Sequence, residues 1–151
     1  MTESANELVI TRVFDAPREL VYRAFIDPDE LAQWFAPVGW SVPRDSVSVD
    51  VRVGGQQVFT MFNDDDPSQT SPVRGVFTEV VENELLVATE DVDMSDGAST
   101  EKFSLRLEFH DEGGGKTRIV LRQGPYSPEI KSNARDGCES SFTKLDALLA
   151  A

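Results

Sequence analysis

The sequence contains few of the residues on which covalent cross-links and metal sites depend. Its 151 residues include one cysteine, Cys138, and one histidine, His110. A single cysteine excludes an internal disulfide, and these two residues are too few for the usual zinc ligand sets. We therefore expect a chain that folds through its hydrophobic core, without a metal or another cofactor, in the reducing cytoplasm.

Long apolar runs are also missing. No stretch approaches the ~20 consecutive apolar residues that a membrane-spanning helix needs. Residues 1–7 have neither the basic residues nor the apolar stretch of a secretory signal. The sequence predicts no membrane partner and a cytoplasmic location.

Basic residues are scarce. The chain has 14 Lys and Arg against 27 Asp and Glu, a net charge of −13, and all of the excess lies in residues 1–100. Nucleic acid binding draws its affinity from basic clusters that neutralise phosphates, so nucleic acid is an unsuitable partner. Anionic membranes are disfavoured for the same reason. The acidity favours solubility, and it also suits a basic surface on a protein partner.

The apolar residues that are present predict a single α+β domain. Residues 1–7 form a short polar tail, and residues 8–151 form the domain. Leu8–Phe14 alternates as a strand, and two short helices follow, with Asp15 and Asp27 as expected N-caps. The later segments alternate with a period of two and are joined by short turns. They predict a curved antiparallel sheet of about six to seven strands.

The C-terminal segment changes to a helical period. The prediction is one long helix over residues 128–151, which must cover the apolar face of the sheet. Its apolar stripe comprises Ile130, Ala134, Cys138, Phe142, Leu145 and Leu149. A helix laid across a curved sheet leaves a concave space, which side chains either fill as core or leave as a ligand cavity. The inward candidates on strands and helix are Phe59, Met61, Phe77, Phe103, Leu105 and Phe142.

Several short motifs resemble sites for other chemistry but depart from them at required positions. Gly115-Lys116-Thr117 lacks the upstream glycine and the following helix of a phosphate-binding loop. Asp91–Gly97 resembles a calcium loop but has Asp96 and Lys102 where glycine and glutamate are required. His110 falls on the wet face of its strand, far from Cys138 on the helix stripe. A Cys–His nucleophilic pair is therefore not expected.

A few polar and amphipathic side chains are candidates for orienting a ligand. Glu79 shares strand parity with Phe77, so in a regular strand its carboxyl group would face the cavity; a bulge would turn it outward. Gln57 lies on an inward face. Trp34 and Trp40 would line the cavity mouth, close its end or simply pack in the core, and the preferred hypothesis has them shape the entrance.

These segments resemble the START/birch-pollen-allergen superfamily, also called SRPBCC. The resemblance is carried by Ile10–Pro17, the two short helices, Val53-Gly54-Gly55, Gly75 and Thr117. The branch is similar to the C-terminal domain of heat-shock chaperone activators. It implies a helix-grip fold, in which the sheet wraps around the long helix and encloses a hydrophobic cavity. Many members of the branch carry Gly-Trp in the last helix, whereas this chain has Gly137-Cys138.

The resulting hypothesis is a non-catalytic cytoplasmic protein that binds a small hydrophobic or amphipathic molecule in the cavity between the sheet and the C-terminal helix. The expected ligand-binding residues are Trp34, Trp40, Gln57, Phe59, Met61, Phe77, Glu79, Phe103, Leu105, Cys138 and Phe142. Two alternatives follow from the resemblance. One is an enzyme similar to polyketide cyclases and aromatases, with Glu79 as its acid or base. The other is a protein-interaction module similar to the chaperone activators. The sequence is compatible with a monomer or a homodimer.

Overall fold

In a computed structural model, which describes residues 7–93, 100–126 and 128–150, the chain follows the element order predicted from its sequence. Strand β1 (Leu8–Phe14) precedes two short helices, α1 (Arg18–Ile26) and α2 (Pro28–Trp34). Seven further strands and a 3₁₀ turn are followed by the long helix α3 (Pro128–Ala150). The α+β prediction with two short helices after the first strand is therefore confirmed.

The strands form one curved antiparallel sheet. The remaining strands are β2 (Trp40–Ser41), β3 (Ser48–Val49), β4 (Gln56–Asn63), β5 (Thr70–Val81), β6 (Leu85–Asp93), β7 (Thr100–Gly113) and β8 (Lys116–Gly124). Their order across the sheet is β1-β8-β7-β6-β5-β4-β2, and β3 also pairs with β4. The first strand thus pairs with the last, and the count of eight exceeds the expected six to seven because two of them have only two residues.

The helix caps agree with the sequence at α2 but not at α1. The Asp27 side chain accepts hydrogen bonds from the backbone N–H groups of Asp29 and Glu30, with N···Oδ1 distances of 2.9 and 3.3 Å. At α1 the N-cap position is Pro17, which makes no side-chain capping bond. Asp15 lies two residues too early, so its predicted capping role is wrong.

A bulge in β5 changes the direction of its last side chains. Val73, Gly75 and Phe77 are buried in alternation, and the register with β6 then shifts between Phe77 and Glu79. Because of this shift, Val80 packs against the core and Glu79 is exposed on the outer face. A regular strand would have buried Glu79 instead.

Helix α3 lies on the inner face of the sheet, and its two halves meet different surroundings. In the C-terminal half, Phe142 and Leu145 are fully buried, and the Phe142 ring packs edge-on against Phe14 with 5.5 Å between centroids. In the N-terminal half, the residues facing the sheet are small. Among the described residues, no helix is long and apolar enough to cross a membrane.

Candidate functional site

A cavity of about 390 Å³ lies between the sheet and the N-terminal half of α3. It exists because that half of the helix presents Ala134, Gly137, Cys138 and Ser141 to the sheet, and these side chains are too short to reach it. The strands β4 to β8 supply the opposite wall, and the segment after α2 closes one side. The volume falls within the range of small-molecule sites.

Most of the wall is aromatic or aliphatic. The structure places ten of the predicted site residues around this cavity: Trp34, Trp40, Gln57, Phe59, Met61, Phe77, Phe103, Leu105, Cys138 and Phe142. They come from α2, β2, β4, β5, β7 and α3, so the sheet's curvature and the covering helix bring them together.

Glu79 is the exception among the predicted residues. The β-bulge after Phe77 turns its carboxyl group to the outer face, so it does not line the cavity. The expectation that Glu79 is desolvated and serves as a base or anchor is therefore wrong. Its position also removes the residue on which the cyclase-like alternative depended.

The two tryptophans lie at different depths. Trp34 is 1% exposed, its ring packs against Phe25, and its Nε1–H donates to the Ala24 carbonyl at 2.8 Å. It therefore closes the interior end of the cavity, one of the two positions expected for it, and does not shape the entrance. Trp40 is only partly buried, at the edge strand β2.

The segment between α2 and β2 is fastened to α3. The Lys144 ammonium donates to the carbonyl oxygens of Trp40 at 3.0 Å and Pro37 at 3.3 Å. The backbone N–H of Val38 donates to Ser140 Oγ at 2.8 Å. Ala36 and Pro37 of this segment line the cavity, so these bonds hold one of its walls against the helix.

The polar part of the wall centres on a carboxyl group that sequence analysis missed. Glu90 lies on the same inward face of β6 as the buried Leu86 and Ala88, and it is 7% exposed. Its cross-strand neighbours are Gly75 on β5 and Phe103 on β7. Because Gly75 has no side chain, the Glu90 side chain has space beside it: a Cβ built on Gly75 would lie 3.6 Å from Glu90 Cγ.

A short hydrogen-bond chain holds Glu90 in place. Gln123 Nε2 donates to Glu90 Oε1 at 2.7 Å, and the Tyr126 hydroxyl donates to Gln123 Oε1 at 2.8 Å. The Tyr126 ring packs on Phe103, with 4.6 Å between centroids. In the part of the chain that the structure describes, Glu90 Oε2 has no hydrogen-bond partner, and Glu90 borders the cavity.

The surroundings favour the neutral forms of the titratable groups in this wall. Burial raises the pKa of Glu90 above its usual value, and the hydrogen bond from Gln123 only partly opposes that effect. Burial, with smaller contributions from Glu90 and Glu139, raises the pKa of the Cys138 thiol to about 12. Burial also raises the pKa of Tyr126, reinforced by Cys138 and Glu90. Cys138 is therefore a thiol, not a thiolate, at neutral pH.

Two other predicted features stay outside the cavity. His110 is on the outer face, where its Nε2 lies 2.9 Å from Glu108 Oε1, as its strand parity indicated. Most of the calcium-like segment Asp91–Gly97 lies outside the described residues. Among those that are described, no group of three or more His, Cys, Asp or Glu residues is placed to hold a metal ion.

Solved structures with the same fold cover almost the whole chain. A crystal structure of a protein from Chromobacterium violaceum is 26% identical, with a TM-score of 0.83, and covers 97% of this chain and 99% of its own. A crystal structure of an AHSA1 protein from Silicibacter pomeroyi is 24% identical, with a TM-score of 0.79, and covers 95% and 97%. No curated protein sequence matches the chain.

The family profile described as Activator of Hsp90 ATPase homolog 1-like protein matches residues 15–150. This span includes both short helices, strands β2 to β8 and the long helix that covers the cavity. The resemblance drawn from the sequence is confirmed, and the chain belongs to the Activator of Hsp90 ATPase homolog 1-like family.

Proposed function

We propose that this protein binds one small apolar or amphipathic molecule in the cavity between its sheet and α3. The observation that carries the proposal is an unfilled space of about 390 Å³ inside a wall of apolar side chains with one polar cluster. Such a space forfeits the packing energy that side chains would otherwise supply, which a bound ligand restores. A molecule of roughly a dozen non-hydrogen atoms would occupy it.

The polar cluster supports an amphipathic ligand over a purely apolar one. Glu90, Gln123 and Tyr126 occupy one part of the wall, while Phe59, Phe77 and neighbouring side chains make up the rest. Apolar area then supplies most of the affinity, and the few polar groups fix the ligand's orientation.

Native mass spectrometry of protein purified without detergent tests this proposal first. An adduct of the mass expected for roughly a dozen non-hydrogen atoms, lost on denaturation, would support it. A bare protein that also fails to bind apolar fluorescent probes at a ratio of one to one would contradict it. The same spectra separate monomer from dimer.

Two alanine variants locate the site. Phe77→Ala and Phe103→Ala remove inward rings and should weaken probe binding about tenfold or more, since each ring contributes over 1.4 kcal/mol of apolar contact. Val76→Ala, on the outward face of the same strand as Phe77, is the matched control and should leave affinity unchanged. Equal affinities in all three variants would place binding elsewhere.

The family match favours a second candidate, a module that contacts a chaperone and stimulates its ATPase activity. The match to an Hsp90 ATPase activator homologue and the acidic residues 1–100 support it, since acidic surfaces are drawn to basic partner surfaces. Addition of the purified protein to Hsp90 should then raise the ATPase rate, and the effect should weaken with added salt. No stimulation at any salt concentration would reject this candidate.

A further inference from the structure

Glu90 is an unusual residue to find in the wall of an apolar cavity. It is 7% exposed, and its hydrogen bond from Gln123 uses one carboxylate oxygen. Among the described residues that line the cavity, none is lysine, arginine or histidine, so none of these residues places a positive charge beside Glu90. Buried carboxylates are normally paired, and this one borders the space that a ligand would fill.

We propose that the ligand of this cavity is an amphipathic amine, whose ammonium group pairs with Glu90 and whose apolar body lies along the aromatic wall. This inference rests on the proposed function and names the class of molecule. Glu90 Oε2 would accept a hydrogen bond from the ammonium group, while Oε1 keeps its bond from Gln123.

Two features of the wall and the overall charge of the protein favour a cation over a neutral or anionic head group. The Glu90 carboxyl group is already removed from water in the free protein. Binding an ammonium group beside it therefore adds no further free-energy cost for desolvating that carboxyl group. The rings of Phe103 and Tyr126 pack on each other in the same part of the wall, and aromatic rings attract a positive charge placed near them. The net charge of −13 attracts cations and repels anions at long range.

The groups around Glu90 bear on how pH affects this pair. Gly75 and Phe103, its cross-strand neighbours, carry no charge. Tyr126 and Cys138 stay neutral below pH 8, because burial raises the pKa of each. Arg135 and Glu139, on the same helix as Cys138, are exposed to solvent. Burial raises the pKa of Glu90, so acidification protonates it and removes the partner of the ammonium group.

Three ligands that share one apolar chain test the proposal by calorimetry: 1-decylamine, 1-decanol and decanoate. At pH 8 we expect the amine to bind at least about tenfold tighter than the alcohol, and the alcohol tighter than the carboxylate. The preference for the amine should shrink as pH falls from 8 to 5, whereas binding of the alcohol should not change.

Glu90→Gln removes the charge and keeps the shape and the acceptor for Gln123. It should abolish the preference for the amine and leave the alcohol affinity within about twofold, a difference of about 0.4 kcal/mol. Glu79→Gln, an exposed carboxylate on the neighbouring strand, is the matched control and should keep the preference.

The outcomes separate this inference from the proposed function. If all three ligands bind equally well, or Glu90→Gln keeps the amine preference, the cavity binds ligands but the amine assignment is wrong. If decanoate binds tightest, Glu90 serves as a neutral hydrogen-bond donor and the assignment is also wrong. If none of the three binds at concentrations up to about 1 mM, both the inference and the proposed function fail.

Discussion

Phe103 and Phe109 lie on the same face of the same strand, six residues apart, and have different roles. Both are buried, about 20 Å from each other along β7. Phe109 packs edge-on against Tyr22 and Phe25 of α1, with centroid distances of 5.4 and 5.5 Å. Phe103 packs on Tyr126 and borders the cavity. What covers the strand, and not the strand's own sequence, decides whether an inward phenylalanine is enclosed in the core or lines the cavity.

The covering elements differ in side-chain size. At the Phe109 end, α1 and α2 contribute Tyr22, Phe25 and Trp34, and aromatic rings contact one another through the whole layer. At the Phe103 end, α3 contributes Ala134, Gly137 and Cys138. At the Phe109 end, aromatic side chains fill the interior. At the Phe103 end, the small side chains of α3 leave the cavity. Substitutions at the two ends should therefore have different effects on stability and on ligand binding.

The largest effect is expected from Phe109→Ala. Removing a ring that is enclosed on all sides leaves a new cavity, so the free energy of unfolding should fall by about 3–5 kcal/mol. Phe103→Ala enlarges a space that already exists. Its free energy of unfolding should fall by roughly 1.5–3 kcal/mol, which is the transfer free energy of the ring without an added contribution from a new cavity. Urea denaturation measures both. Equal losses would mean that the two ends are packed alike.

Cys138→Trp should fill the cavity at the Phe103 end. The indole ring would occupy much of the 390 Å³ cavity and lower the affinity for any ligand there by about tenfold or more, while the fold is retained. Cys138→Ser keeps the side-chain size and is the control. Unchanged ligand affinity in the tryptophan variant, with circular dichroism like that of the wild type, would argue against this cavity as the site.

The smallest effect is a pH-dependent difference in stability at Glu90. Burial raises its pKa, so above about pH 4.5 the unfolded chain ionises this group more readily than the folded protein does. The folded state then loses stability as pH rises. Glu90→Gln should therefore be more stable than the wild type at pH 8, and the gap should close towards pH 4.

Thermal unfolding at a series of pH values measures this gap. Glu79→Gln, which changes the net charge by the same amount on the outer face, shows what the loss of any one acidic charge contributes. If the two variants follow the same curve, the effect belongs to the overall charge of the protein and not to the cavity.

The sequence predicted most of the fold because the order of elements depends on periodicity that spans many residues. Strand Leu8–Phe14, both short helices and the long terminal helix follow directly from apolar spacing. Ten cavity residues could be found in the same way, since inward positions follow strand and helix parity. Which inward residues would border empty space could not be found, because that depends on the side chains opposite them.

The error at Glu79 and the omission of Glu90 have a common origin. Parity predicts a side chain's direction only while the register is unbroken, and the bulge after Phe77 leaves no mark in the amino-acid pattern. Pairing with both β5 and β7 extends β6 to Asp93. The alternation Leu86, Ala88, Glu90 was the available signal, and its use required the strand to reach Glu90.

The bulge in β5 also sets how many charges the interior holds. With an unbroken ladder, Glu79 would take the inward position that Val80 now occupies, and two carboxyl groups would face inward from adjacent strands. Two such groups repel each other, share protons, and attract divalent or doubly charged species. Among the described residues of β5 and β6, one inserted residue thus leaves Glu90 as the single carboxyl group that faces inward. Changes in strand register, as well as substitutions, are therefore a means by which related sheets can acquire ligands of different charge.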